Sequence, residues 1–236
     1  MAAYFDAQKL PLPQKEHVCF IDIMGIQNKM AHSSHQSSNF IFKLHATLLE
    51  AWRLKGYSSI SVYPIMDGAY ITSRKKEDLL NLLTTMYNNL SADLLAEDNF
   101  NFWYMVRAAV SYGNTIHGRN IPYDASHEFS SRVGYKEQLL ISPAMIEACS
   151  SEKLAAPMGI YICDSATNKR SGIPSSWKWY ANINIKTSQE HFERFKEMFQ
   201  SYLQWLNENS IDSEYPASRR QSHRDNAYQY FGITNE

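Results

Sequence analysis

Two aspartates stand beside apolar segments, where an isolated carboxylate is costly to bury. Asp22 follows the uncharged run Val18-Cys19-Phe20-Ile21, and Asp67 belongs to an Asp-Gly pair further along the chain. Burying a carboxylate requires a compensating charge, and Mg²⁺ or Mn²⁺ is often held by one or two carboxylates together with substrate phosphates. The pair therefore indicates a divalent-metal site. Two simpler readings stay open: Asp22 caps an exposed strand end near Gly25, or Asp67 only forms a turn.

The elements around these aspartates alternate in type. The sequence predicts a buried strand over 18–22, a helix over 39–54, strands over 60–66 and 69–72, a helix over 76–95 and a strand over 102–112. This order is that of the split βαβ, ferredoxin-like unit. We therefore expect an α+β fold with a ferredoxin-like βαββαβ core, an antiparallel sheet and helices on one face. In such a sheet, the end of the first strand can face the hairpin that carries Asp67.

Further elements follow this core. The sequence predicts a helix over 127–135, a strand over 139–141, a helix after Pro143, strands over 160–163 and 177–185, and a helix over 189–206. Residues from 207 onward are polar and are expected to be loosely ordered. The expected organisation is an N-terminal extension over 1–16, one main domain over 17–206 and a polar C-terminal tail over 207–236.

Composition excludes several classes of protein. The 236 residues carry a net charge of -1, unlike the basic chains that bind nucleic acid generally. No stretch reaches the roughly 18 apolar residues of a membrane span, and the charged N-terminus does not resemble a signal peptide. Cys19, Cys149 and Cys163 lack metal-type spacing, and the first and last are expected to be reduced core residues. We expect a cytoplasmic protein that binds neither nucleic acid nor membranes.

Four segments together resemble class III nucleotidyl cyclases. Phe20–Ile26 is similar to the opening strand of that family, and Ile65–Ile71 to its metal-bearing hairpin. Val106–Gly113, followed by Gly118, resembles the next core strand, and Ser130-Ser131-Arg132 resembles the Ala-Ser-Arg of the catalytic helix. The order and spacing of these segments carry the resemblance, which spans about 18–147. It implies that the main domain is a class III cyclase catalytic domain.

The resemblance also implies a metal and phosphate site. Asp22 and Asp67, joined by the carbonyl of Ile23, would hold two Mn²⁺ or Mg²⁺ ions per site. The backbone of Met24, Gly25 and Ile26 would bind the phosphates of a nucleoside triphosphate, as amides at a helix start do.

The catalytic helix departs from the family pattern. Arg132 would stabilise charge as pyrophosphate leaves, or else form a surface salt bridge with Glu128. Glu128 stands where the family has a catalytic Asn, and an acidic group there would repel phosphate. Lys178 is a weak match to a late phosphate-binding lysine of the family.

Tyr63 stands where purine cyclases have the Lys or Glu that reads the base. A bulky ring favours a smaller base, and its hydroxyl can hydrogen-bond. This is similar to the Pycsar uridylate and cytidylate cyclases of bacterial anti-phage defence. In this family the base-reading and metal residues of one site come from different protomers, which implies a homodimer with composite sites. Alternatively, Tyr63 is simply a good strand residue.

The expected activity is that of a phosphorus-oxygen lyase that converts UTP to the 3′,5′-cyclic nucleotide and pyrophosphate, with CTP as the less favoured substrate. A separate cyclic-nucleotide-binding effector is expected to bind the product. Three alternatives stay open. One is a purine cyclase, which Tyr63 disfavours. Another is an inactive cyclase-like dimerisation or ligand-binding module, which Glu128 favours. The third is another two-metal enzyme, such as a polymerase or a diguanylate cyclase, although the hairpin reads Met66-Asp67-Gly68-Ala69 and lacks the Gly-Gly-Asp/Glu-Glu-Phe signature.

Overall fold

The computed structural model describes residues 6–182, 186–209 and 217–234. The strands are β1 (Gln14–Ile23), β2 (Ile60–Ile65), β3 (Gly68–Ser73), β4 (Val106–His117), β5 (Leu140–Ile141) and β6 (Ile160–Ile162). The helices are α1 (Ile26–His32), α2 (Ser34–Lys55), α3 (Lys76–Leu95), α4 (His127–Ser131), α5 (Val133–Glu137), α6 (Pro143–Ser151), α7 (Asp164–Thr167), α8 (Lys186–Glu208) and α9 (Ala217–Phe231).

The sheet has the strand order β2-β3-β1-β4-β5, with β6 joined to β4. The first four strands pair antiparallel, and β6 runs parallel to the first part of β4. The predicted ferredoxin-like βαββαβ core is confirmed, because β1, β2, β3 and β4 alternate with helices in the expected order. The antiparallel ladder on both sides of β1 makes it the central strand and fixes the positions of its side chains.

One face of the sheet carries the main hydrophobic core. Cys19, Ile21 and Ile23 point to this face, as the two-residue period of a strand requires. Helices α2, α3 and α8 cover it with fully buried side chains such as Leu44 and Phe199. The amphipathic helices predicted over 39–54, 76–95 and 189–206 are therefore confirmed as the layer that buries the central strand.

The second face of the sheet is only partly covered. Val18, Tyr63 and Tyr70 form a small buried cluster there with Ala144 of α6. Helix α6 lies close because Gly113 carries no side chain: a Cβ there would come within 3.1 Å of the Ala144 Cβ. This second face is the one on which the even-numbered residues of β1, from Glu16 to Asp22, are placed.

Two segments differ from expectation. The strand predicted over 177–185 is wrong where the structure describes it, because Trp179–Asn182 form a 3₁₀ helix; residues 183–185 lie outside the described ranges. Part of the segment expected to be loosely ordered forms α9, whose Ala227, Tyr230 and Phe231 are buried against the core. The C-terminal chain is thus tied to the domain through α9.

The cysteines agree with the prediction of reduced core residues. Cys19 and Cys163 are buried and unpaired, whereas Cys149 is exposed on α6, beside the hydroxyl of Tyr70. Among the helices of the described ranges, none combines the length and apolar character needed to cross a bilayer.

Candidate functional site: a carboxylate cleft and a tyrosine-lined cavity

The β2–β3 hairpin places Asp67 at the end of the central strand. Ile65 pairs with Gly68, so Met66 and Asp67 form the turn, and Met66 adopts a positive φ of 44°. Gly68 lies opposite Asp22, and a Cβ at this glycine would lie 2.3 Å from the carbonyl oxygen of Ile21. The glycine therefore serves close approach of β3 to β1, and this approach brings Asp67 beside Asp22.

Asp22 is half-buried between two strands, opposite Gly68 on β3 and Arg107 on β4. Burial, together with the negative charges of Asp67 and Glu152, raises the pKa of its carboxyl to about 7. Arg107 acts in the opposite direction. A half-buried carboxylate beside a second carboxylate is an electrostatic setting in which a divalent cation binds favourably.

An ion pair that the sequence did not single out lies behind Asp22. Arg107 donates from Nη2 to Oε1 of Glu152 at 3.0 Å, and both side chains are about nine-tenths buried. A charged residue in the apolar run of β4 was a visible signal for Arg107. No local pattern could have found Glu152, because the contact joins residues far apart in the chain.

Asp22, Asp67 and Ile23 meet at one cleft, which we call the metal cleft, with a volume of about 440 Å³. Its lining residues are Asp22, Ile23, Gly25, Ile26, Gln27, Asn28, Asp67, Ser218 and Arg219. The described residues contain no cluster of three or more His, Cys, Asp or Glu side chains suited to a metal. Two carboxylates and a carbonyl, completed by substrate phosphates, nevertheless suit Mg²⁺ or Mn²⁺. The residues present therefore fit the two expected ions.

Of the three residues predicted to bind phosphate through their backbone, Gly25 and Ile26 line the metal cleft and Met24 does not. Gly25 has a φ of 74° and leads the chain into α1, and both Gly25 and Ile26 line the metal cleft. Met24 is buried, and its amide donates to the carbonyl of Met105 at 2.8 Å. The Met24 amide is thus already used within the fold, which leaves the next two residues beside the cleft.

Tyr63 lies at a second cavity, which we call the Tyr63 cavity, of about 650 Å³. It is lined by residues of α2, β2, β3, α5 and α6 and by Arg119 after β4, among them Trp52, Ser61, Tyr63, Tyr70, Glu137 and Met145. The Tyr63 hydroxyl lies 2.5 Å from Nδ1 of His117, and Nε2 of His117 lies 2.9 Å from a carboxylate oxygen of Glu16. All three side chains are buried. The predicted metal ligands and Tyr63 therefore line separate pockets of one chain.

Arg132 and Lys178 both lie away from the metal cleft. Arg132 is exposed at the break between α4 and α5, which interrupts the predicted single helix. Glu128 is exposed on α4 and accepts a hydrogen bond from the Ser126 hydroxyl at 2.7 Å. Lys178 places Nζ 3.7 Å from the ring centre of Tyr230, and burial lowers its pKa. One chain therefore does not assemble the predicted catalytic arginine with the predicted metal ligands.

No protein-family model matches the sequence, and comparison with curated proteins gives no match. Solved structures are similar in fold. The guanylyl cyclase domain of the RhoGC fusion protein from the fungus Blastocladiella emersonii, as a monomeric double mutant, is 12% identical with a TM-score of 0.50, over 67% of this chain and 84% of that one.

Two further cyclase structures have a TM-score of 0.49, just below that value. The guanylate cyclase domain of RhGC from Catenaria anguillulae, in complex with GTP, is 12% identical over 67% of this chain and 83% of that one, with a TM-score of 0.49. An adenylate/guanylate cyclase/hydrolase from Silicibacter pomeroyi is 13% identical over 69% and 84%, with the same TM-score. The similarity to the Blastocladiella domain shows that this chain has the α+β fold of class III cyclase catalytic domains.

Proposed function

We propose that this chain is a nucleotidyl cyclase that acts on a pyrimidine nucleoside triphosphate, UTP in preference to CTP. The 3′-hydroxyl attacks the α-phosphorus and loses its proton to solvent, and a new P–O bond closes the 3′,5′ ring. The bond between the α-phosphorus and the bridging oxygen breaks, and pyrophosphate leaves with that electron pair. The observation that carries the proposal is the meeting of Asp22 and Asp67 in the metal cleft of a cyclase fold.

The residues of the cleft have separable tasks in this reaction. Asp22 and Asp67 supply carboxylate oxygens, and Ile23 supplies its carbonyl. Mn²⁺ or Mg²⁺ held by these oxygens would lower the pKa of the attacking hydroxyl and neutralise charge on the leaving pyrophosphate. Gly25 leaves the chain free of a side chain where it turns into α1, so that the backbone can approach a phosphate closely.

The preference for a pyrimidine is supported by the position of Tyr63. Its ring lies in the wall of the Tyr63 cavity, where it takes up volume that a second base ring would need. Its hydroxyl is engaged with His117, which holds the ring in place. The cavity therefore has a fixed aromatic wall where purine cyclases carry a flexible charged side chain.

A homodimer with composite sites is supported by the layout of the second sheet face. Tyr63 pairs with Tyr70 across β2 and β3, and its hydroxyl bonds to His117, so within one chain Tyr63 lines a pocket separate from the metal cleft that contains Asp22. Apolar side chains are exposed near both regions, including Met66, Tyr135 and Ile141. Arrangement of two chains face to face would join the metal cleft of one with Arg132 and the Tyr63 cavity of the other.

A second candidate function is an inactive cyclase-like module. It is favoured by Glu128, whose carboxylate stands exposed where the resemblance calls for a neutral catalytic amide. It is opposed by the retention of both aspartates in one cleft. The two candidates differ in whether any cyclic nucleotide forms.

One incubation tests both candidates. The purified chain is mixed with each of the four ribonucleoside triphosphates and Mn²⁺, and products are identified by mass spectrometry. We expect cyclic UMP to dominate, Asp22→Ala to abolish it and the exposed-loop control Asp98→Ala to leave it unchanged. If a purine cyclic nucleotide is the main product, Tyr63 does not select a pyrimidine. If no cyclic nucleotide forms, the chain is not an active cyclase.

We also propose, on the resemblance to Pycsar enzymes, that the cyclic nucleotide is a cytoplasmic second messenger of anti-phage defence that is read by a separate effector. Phage challenge of cells that carry the intact chain or Asp22→Ala, each with the neighbouring genes of its natural locus, tests this. Equal plaque counts in both strains would contradict it.

A further inference from the structure

The C-terminal helix α9 brings an arginine to the metal cleft. Ser218 and Arg219 line the cleft together with Asp22 and Asp67. The helix is anchored at its other end, where Phe231 is buried and the hydroxyl of Tyr230 accepts a hydrogen bond from the Ile160 amide. Arg219 therefore stands beside the carboxylates on a helix that the core holds in place.

Arg219 differs from the other cation of this region. Arg107 is buried and committed to Glu152, to which it donates its hydrogen bond at 3.0 Å. Arg219 is exposed, and within the described lining of the metal cleft it is the single positively charged side chain. A ligand that enters the cleft can thus meet the Arg219 guanidinium without breaking a buried ion pair.

The charges around Arg219 favour a role in binding phosphate. His223 lies one helical turn after Arg219, and burial lowers its pKa to about 4, helped by Arg107 and Arg219, so it is uncharged near neutral pH. The carboxylates of Asp22 and Asp67 repel a polyanion wherever bound cations do not offset them. A guanidinium is the side chain best suited to phosphate oxygens, because its planar fork of N–H donors binds them in pairs.

We propose that Arg219 binds the β- and γ-phosphates of the nucleoside triphosphate, from the same chain that supplies Asp22 and Asp67, and so holds the pyrophosphate that leaves. This inference rests on the proposed function for its substrate. It assigns to α9 a part of the site that the resemblance to cyclases does not supply. The alternative role for Arg219 is to neutralise the carboxylates when no metal is bound.

Binding of inorganic tripolyphosphate, measured by calorimetry in the presence of Mn²⁺ on the full chain, separates these roles. We expect Arg219→Gln to weaken tripolyphosphate binding about 10- to 100-fold, and Arg219→Lys to restore part of the loss. UMP, which lacks the β- and γ-phosphates, should bind the wild type and Arg219→Gln with similar affinity. The matched control is Arg220→Gln, because the adjacent arginine does not line the cleft.

Other results would overturn the proposal. Equal tripolyphosphate affinities of Arg219→Gln and Arg220→Gln would remove Arg219 from phosphate binding. Tighter Mn²⁺ binding by Arg219→Gln, with unchanged tripolyphosphate affinity, would assign the neutralising role instead. Because tripolyphosphate has no base and no ribose, these outcomes are independent of turnover. A wild type that binds it through Arg219 but forms no cyclic nucleotide would sink only the proposed function.

Discussion

The hydroxyl of Tyr63 lies 2.5 Å from Nδ1 of His117, and both side chains are buried on the second face of the sheet. The same imidazole contacts Glu16 through its other nitrogen. Since a carboxylate only accepts hydrogen bonds, Nε2 of His117 donates to Glu16, and Nδ1 shares the second hydrogen bond with the Tyr63 hydroxyl. One tyrosine thus both shapes a cavity and completes a buried hydrogen-bonded chain.

Removal of the Tyr63 hydroxyl should destabilise the fold while the aromatic ring remains in the wall of the Tyr63 cavity. Tyr63→Phe leaves a nitrogen of His117 buried without its partner, which costs about 1–3 kcal/mol of the free energy of unfolding. Urea denaturation measures the loss, and Tyr135→Phe, at an exposed tyrosine, is the control. Equal stability of the two variants would mean that the Tyr63–His117 hydrogen bond contributes nothing.

Metal binding should depend on pH through Asp22. Its carboxyl has a pKa of about 7 in the metal-free chain, so protons compete with the cation below that pH. The apparent Mn²⁺ affinity should fall by up to about tenfold per pH unit between pH 7 and pH 5 and level off above pH 8. Calorimetric titration at these pH values tests this, and an affinity that is flat from pH 5 to pH 8 would contradict it.

Asp22 should also lower the stability of the metal-free chain at high pH. Because its folded pKa is raised from 3.8 to about 7, the folded state holds this proton more tightly than the unfolded state, and stability is lost as the pH rises between those values. Asp22→Asn removes this loss. Solvent screening at a half-buried position limits the expected gain to about 1–2 kcal/mol at pH 8.

Thermal or urea unfolding in excess chelator at pH 4 and pH 8 measures the effect. The wild type and Asp22→Asn should be equally stable at pH 4, and the variant more stable at pH 8. A variant that is less stable at both values would show that the Asp22 carboxylate is paired in the metal-free fold. Asp22→Asn should lose cyclisation in either case.

Composite sites predict complementation between two inactive variants. A mixture of Asp67→Ala and Tyr63→Ala chains can form a heterodimer in which one of the two sites has an intact metal cleft facing an intact Tyr63 cavity. We expect up to about a quarter of wild-type cyclisation, since random pairing makes half of the dimers mixed. Wild type mixed with the double variant Asp67→Ala/Tyr63→Ala gives the reference activity, because their heterodimers have no intact site. If co-refolding of the two single variants restores no cyclisation, the sites are not shared between chains.

The sequence predicted the elements whose apolar period is unambiguous. The helix that carries Leu79, Leu83 and Met86 was found because these residues recur on one face, and the Asp67-Gly68 pair located the hairpin. The pair of aspartates was predicted because chain order alone brings β1 against β3. These features depend on local spacing and on one rule of topology.

Other features depend on distant contacts that no local pattern encodes. Trp177-Lys178-Trp179 alternates like a strand, yet the indole of Trp179 donates to the carbonyl of Met158 and is fully buried beneath α3 and α8. Helix α9 is mostly polar, and only the few apolar residues that reach the core hold it there. Arg219 reaches the metal cleft for the same reason, through tertiary packing of a segment that looks like a tail.

The exposed thiol of Cys149 on α6 allows solvent access to the second sheet face to be measured chemically. Cys149 stands beside Tyr70, while Cys19 and Cys163 are buried. An alkylating reagent therefore modifies one position under native conditions, and the rate of that reaction reports how freely solvent reaches this face. Slower alkylation of Cys149 as the protein concentration rises would give the dissociation constant of the homodimer without any nucleotide or added substitution.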